Sequence, residues 1–153
     1  MAMDLEGVKV GFPQAVPMVG TLNLRFDELD LQQAVMTLPD QQPYHNHIGG
    51  PHAGAMFTLA ESASGALVLA NFGDKLADVT PLAVEATIRY LKLAMGDVTA
   101  TARMMRSGEE VLAELGAGGR PEFLVEIDLA TGDGTITGQM TIVWTLKPNK
   151  RAN

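Results

Sequence analysis

The 153-residue sequence predicts an α+β domain in which a curled antiparallel sheet of about six strands wraps around one long buried helix. Three observations carry that expectation. The stretch from Pro51 to about Phe72 has helical spacing but is apolar on nearly every side, and such a helix must be covered all round. Several flanking segments alternate apolar and polar residues with a period of two, as half-buried strands do. Asp133-Gly134, between two such segments, is a strong hairpin signal, so the strands run antiparallel.

In chain order, residues 1–18 hold two prolines and two glycines without clear periodicity and read as a lead-in containing one short helix at most. The domain proper is expected over residues 19–147, with a frayed polar tail over 148–153. Thr21 to Phe26 puts Leu22, Leu24 and Phe26 on one face and reads as a strand; Leu31 to Leu38 is a second, closed by Pro39-Asp40. Asp40 to Gly50 is loop. Gly50-Pro51 reads as the helix start, because proline at the first helical position gives up an N–H that has no partner there. Gly73-Asp74 ends the helix. Leu82 to Leu93 and Val98 to Met105 flank the Met95-Gly96-Asp97 turn and predict an antiparallel hairpin with each other. Ser107 with Glu110 forms a capping box for a short helix with Val111, Leu112 and Leu115 on its apolar side and Gly116 as its stop. Phe123 to Leu129 and Thr135 to Leu146 close the count as a second hairpin.

Composition narrows the function. Eighteen acidic against eleven basic residues give a net charge of −7, which argues against a nucleic-acid or anionic-membrane partner. A local basic pocket could still hold a phosphate. With no cysteine there is no disulfide, thiol nucleophile or Cys-ligated metal, as suits a cytoplasmic protein. The longest apolar run, Gly65 to Ala70, is too short to span a bilayer, and the first residues lack the pattern of a signal peptide. A soluble cytoplasmic protein is the expectation.

The strongest functional clue is a carboxylate in the core helix. Four exceptions to its apolar pattern, Thr58, Glu61, Ser62 and Gly65, fall on one narrow stripe at i, i+3, i+4, i+7. Burying Glu61 is costly unless it is paired or used, so it is either a catalytic group or a structural one satisfied by Ser or Thr neighbours or by a subunit interface. His45, His47 and His52 lie close in sequence, but their spacing matches no zinc pattern, and no metal is expected. Gly116 to Gly119 is a flexible exit from the short helix, with no strand before it as a phosphate loop requires.

The run from Asn46 to Glu61, NHIGGPHAGAMFTLAE, resembles the PaaI-like branch of the hotdog-fold acyl-CoA thioesterases, whose motif is N-x-x-G-x-x-H-G-G-x-x-F-x-L-A-D/E. Asn46, Gly49, His52, Gly54, Phe57, Leu59, Ala60 and Glu61 fall at the matching offsets, and Val84 to Leu91 followed by Gly96-Asp97 is similar to the family's next strand and turn. The resemblance covers residues 20–146. It implies a hotdog fold, with Glu61 as the general base or nucleophile acting on a thioester. The backbone N–H of Ala53, with Gly54 beside it, would stabilise the oxyanion at the helix N-terminus. Asn46 would orient the water or thioester, and His52 would brace the loop. Met56 and Phe57 would line the acyl pocket. Ala83 stands where the family often has a hydroxyl, leaving Thr80 or Thr87 to supply one. Ala53 replaces a glycine of the motif, and Lys92-Leu93 replaces an Arg-Pro. Arg89, Lys92, Arg103 and Arg106 either meet the phosphates of coenzyme A or are solvated surface charge.

One constraint is independent of the family. Ala53 and Glu61 are eight residues apart, about 12 Å along a helix axis at roughly 1.5 Å per residue. Both would have to reach one carbonyl within about 3 Å. A shared site in a homodimer satisfies this, and the family implies dimers or dimers of dimers. The reaction expected is hydrolysis of an acyl-CoA or acyl-carrier-protein thioester without a metal or organic cofactor. A hotdog hydratase or dehydratase using His47 with Glu61, and a non-catalytic acyl-binding protein, are the alternatives.

Overall fold

The computed structural model describes residues 3–151. Two helices, α1 (Leu5–Ala15) and α2 (Pro17–Thr21), precede strands β1 (Arg25–Leu29) and β2 (Gln33–Leu38). The long helix α3 (Ala53–Phe72) follows, then β3 (Val79–Tyr90), β4 (Val98–Met104), a short helix α4 (Gly108–Gly116), β5 (Glu122–Thr131) and β6 (Ile136–Pro148). All six strands form one antiparallel sheet in the order β1-β2-β4-β5-β6-β3, and α3 packs on its concave face, chiefly against β4 and β2. This is the hotdog arrangement.

Alternation builds the inner face. Val98, Ala100 and Ala102 of β4, Phe123, Val125, Ile127 and Leu129 of β5, and Met140, Ile142, Trp144 and Leu146 of β6 are buried, while the residues between them, apart from the buried Thr145, are half-buried or exposed. Ala34, Ala102, Ile127 and Met140 sit in one row across four strands. Alanines on β4 face a helix that also buries Ala60, Ala63, Ala66 and Ala70, so the two backbones can approach closely. Leu59 and Leu67 fill the gaps and are fully buried, each contributing about 1.5–3 kcal/mol. By length and composition alone Ala53–Lys75 could cross a membrane, which the short apolar run did not suggest; the sheet covers it instead.

Several expectations need correction. Residues 5–21 form two helices, and Val8, Phe12 and Val19 are buried in the core, so this segment is part of the domain's packing. Thr21 ends α2, and the first strand starts only at Arg25: Leu22 and Leu24 are buried from a turn, with Asn23 at positive φ. The helix begins at Ala53, one residue past its cap His52, so Pro51 lies outside it. The largest correction concerns pairing. β3 does not form a hairpin with β4; it crosses to the far edge and pairs with β6, from Val79↔Pro148 to Tyr90↔Gly138. β4 instead lies between β2 and β5. The tail is tied down further than expected, because Asn149 N–H donates to the Asp78 carbonyl and its side-chain amide donates to the Leu76 and Ala77 carbonyls. The β5–β6 hairpin and the Ser107–Glu110 capping box are as read from the sequence.

Candidate active site

The loop before α3 is held by its own amides. Asn46 Oδ1 accepts from the N–H groups of Ile48 and Gly50, both at 3.0 Å, and Asn46 Nδ2 donates to the Pro51 carbonyl at 3.3 Å. The side chain that motif reading assigns to a substrate therefore closes the turn, leaving one Nδ2–H uncommitted. Gly49 takes φ +78, and Gly50 is buried where a Cβ would come within 2.6 Å of the Ala94 carbonyl oxygen. Both glycines are thus required by the backbone.

His52 caps α3: its Nδ1 accepts from Gly54 N–H at 2.8 Å, which places the ring proton on Nε2. Gly54 spends its donor in this cap. Ala53 N–H has no acceptor among the described residues, and Ala53 is exposed at the positive end of a 20-residue helix. Tyr90 Oη, at the end of β3, donates to the Ala53 carbonyl at 2.8 Å and ties this first turn to the sheet. The other two histidines serve elsewhere. His45 Nε2 lies 2.6 Å from Asp40 Oδ1, and His47 is exposed; no metal-binding cluster occurs among the described residues.

Glu61 is half-buried two turns further along. Desolvation raises its pKa above the ordinary 4.5, and among the described residues neither a hydrogen bond nor an ion pair offsets that effect. The neighbouring hydroxyls do not satisfy it. Ser64 Oγ donates to the Glu61 main-chain carbonyl at 2.7 Å and accepts from Trp144 Nε1 at 3.1 Å, while Ser62 Oγ is buried without a partner among the described residues. Thr58 Oγ1 donates to the Gly54 carbonyl. The polar stripe is therefore not one unit, and the carboxylate stands alone. It borders a pocket of about 180 Å³ with Phe12, Val16, Gly65, Val68 and Trp144 among its walls. His52, Gly54 and Thr58 border a different cavity, of about 530 Å³, against α2 and Tyr44. The two ends of the expected site thus do not share a cavity within one chain.

The remaining residues are scattered. Met56 is buried in the core and Phe57 half-buried. Thr80 Oγ1 donates to Asn149 Oδ1 at 2.6 Å. Arg89 is exposed on β3, while Arg103 pairs with Asp128 and Arg106 with Glu114. Since β3 and β4 are not neighbours, these cations do not form a single patch on a hairpin.

A family model for DUF4442, described as a domain of unknown function, matches residues 6–146. The chain belongs to the DUF4442 family. Its fold matches a probable thioesterase of Pseudomonas aeruginosa at TM-score 0.84 and 28% identity, over 97% of this chain and 99% of that one. A mutant thioesterase from the same organism superimposes at TM-score 0.77 and 23% identity, over 97% of each chain. The PaaI protein from the phenylacetic acid degradation operon of Escherichia coli does so at TM-score 0.72 and 15% identity, over 92% and 91%. No curated protein matches the sequence. These neighbours share the hotdog fold with the DUF4442 chain, as the run from Asn46 to Glu61 implied.

Three residues of this DUF4442 domain escaped sequence reading. Phe12 lay in a stretch without periodicity. Tyr90 looked like one more alternating strand residue. Trp144 fell within the strand from Thr135 to Leu146, and nothing there pointed to a partner for its indole N–H. Each acts through a contact with α3 from a distant part of the chain, and no local spacing encodes such a contact.

Proposed function

We propose that this chain hydrolyses the thioester of an acyl-CoA or acyl-carrier-protein substrate, with Glu61 as the attacking group's base, in a site completed by a second copy of the chain. The observation that carries this reading is the Glu61 carboxylate, half-buried beside an apolar pocket with nothing among the described residues to offset its desolvation. A carboxylate with a raised pKa is a better base near neutral pH than a solvated one. The thioesterase names of the solved structures with the same fold, one of them at 28% identity, support the choice of reaction.

In the step proposed, Glu61 takes a proton from water as the water oxygen adds to the thioester carbonyl carbon. The oxyanion receives Ala53 N–H, the donor left open at the start of α3. Collapse breaks the C–S bond, and the proton on Glu61 passes to the leaving thiolate. The carboxylate and the backbone donor supply this chemistry, so it calls for no metal or organic cofactor. Asn46 keeps one N–H with which to orient the water. Arg89, exposed and without an ion pair among the described residues, is the residue we assign to the anionic part of coenzyme A. His52 and Tyr90 position the helix start.

His52 and Gly54, on either side of Ala53, border a cavity that Glu61 does not reach, so the reading places Ala53 of one subunit opposite Glu61 of its partner. β3 suits that role: it is an edge strand of 12 residues with Leu82 and Val84 exposed, and Leu91, Leu93 and Met95 continue the apolar patch beyond it. Such an edge is a ready template for pairing. A homodimer, or a dimer of dimers, is the assembly proposed.

A thiol-release screen over acyl-CoA substrates tests the activity. Glu61→Gln should lower turnover at least about a hundredfold, with circular dichroism and oligomeric state unchanged. If the variant kept more than about a tenth of the activity, Glu61 would not be the base. A change at an enoyl double bond without free thiol would indicate a hydratase instead.

A further inference from the structure

We propose that Gly65 and Phe12 set the size of the acyl group, and that the substrate carries a short aliphatic chain or a single unsubstituted aromatic ring; this rests on the thioesterase reading. Gly65 follows Glu61 by one turn, so the two share a helix face. A mid-helix glycine destabilises a helix relative to alanine and needs a reason. Backbone conformation is not the reason, because Gly65 does not have a positive φ. Close packing is not the reason either. A Cβ built there would lie 3.7 Å from Phe12 Cζ and 3.8 Å from Trp144 Cη2 and Cζ2, which is ordinary contact. What the missing side chain leaves is space, at the floor of the 180 Å³ pocket beside Glu61.

That volume limits the guest. A cavity of about 150 Å³ admits a benzene ring, so this one takes a ring or about six carbons. Apart from Glu61 its walls are apolar, and the Trp144 N–H is already spent on Ser64, so a hydroxylated acyl group would find no side-chain partner there other than the carboxylate itself. The far wall is Phe12, which is 4% exposed and held in a tilted contact with Phe26, with ring centroids 5.8 Å apart. Behind it lies a second apolar groove of about 350 Å³ between α1 and the end of α3, and Phe12 and Leu69 border both spaces. The Phe12 ring is the partition between a short pocket and a long one.

The test compares kcat/KM for acetyl-, hexanoyl-, phenylacetyl- and dodecanoyl-CoA. Wild type should favour hexanoyl and phenylacetyl over dodecanoyl by about tenfold or more. Gly65→Ala should lower the hexanoyl-to-acetyl ratio about tenfold, and Phe12→Ala should raise the dodecanoyl-to-hexanoyl ratio by a similar factor. Should Phe12→Ala lose its fold, Phe12→Leu keeps an apolar side chain there and carries the same expectation with a smaller shift. Trp144, the one tryptophan, supplies a readout that needs no turnover. Its emission should change saturably with the thioether S-hexyl-coenzyme A, and Gly65→Ala should weaken that binding about tenfold. Thiol release with ratios unchanged in the variants would overturn the pocket assignment and leave the hydrolase reading standing. Saturable binding sensitive to Gly65→Ala, with no thiol released from any thioester, would do the reverse. Neither binding nor release would overturn both.

Discussion

Glu61 carries its charge at a cost that a surface carboxylate does not bear. Burial favours its protonated form, so the folded chain binds the proton more tightly than the unfolded chain. The sign follows. Below the ordinary value of 4.5 both states are protonated and nothing is lost; as pH rises from there through the raised pKa, stability falls, and it stays lower above that window. Glu61→Gln has no charge to bury. Its melting temperature should exceed that of wild type at about pH 7 and converge with it at about pH 3.5, measured by thermal melts at the two pH values. An equal gain at both would mean that packing, not desolvation, separates the two chains. The same shift puts the acid limb of the rate profile above 4.5 if Glu61 must be ionised to act.

The junction of loop and helix is a unit, and its strain points are visible. Gly50→Ala would bring a Cβ against the Ala94 carbonyl and Met95 Sδ, so the loop must retreat and carry the Asn46 turn with it. Urea unfolding should show a loss of about 1–3 kcal/mol, with activity falling further than the stability change explains. A neutral result would mean that the 94–95 segment yields freely. Tyr90→Phe removes one hydrogen bond to the helix start and should cost about 1 kcal/mol or less. In α4, by contrast, the Ser107–Glu110 capping box involves no distant residue. That is why it was legible from four positions in a row.

For the molecule as a whole, the question is whether one chain can hold a working site. The residues on either side of Ala53 border one cavity and Glu61 another, and a subunit-exchange experiment separates the possibilities. Ala53→Pro deletes the proposed oxyanion donor. It suits the backbone, since Ala53 is the first helical residue and His52 before it is extended, with ψ 140. Ala53→Pro and Glu61→Gln alone should each be nearly inactive. Mixed and allowed to exchange, about half the dimers are heterodimers, each with one intact site and one doubly damaged. Activity should therefore return to about a quarter of wild type, from two-fold symmetry alone. No recovery, with exchange confirmed by native mass spectrometry, would mean that one chain supplies both groups or that Ala53 does not act.

Local patterns carried most of what could be read in advance. The all-round apolar run announced α3 and its covering sheet, Asp133-Gly134 announced the β5–β6 turn, and the stretch from Asn46 to Glu61 announced the candidate base and the start of its helix. Each of these is encoded in contiguous residues at a fixed spacing, so neighbours along the chain suffice. The partner of β3 was not encoded that way. Its alternation suits pairing with any strand, and proximity favoured β4; competition across the whole sheet assigned it to β6 and made it an edge. Residues 5–21 offered no period, yet they cover the core helix, because only Val8, Phe12 and Val19 need to be apolar for them to dock. Gly65 looked like one more small residue on a polar stripe. Its meaning came from Phe12 and Trp144, 53 and 79 residues away in sequence, whose rings border the space it leaves. Spacing along a chain specifies which faces an element presents; only packing decides what those faces meet.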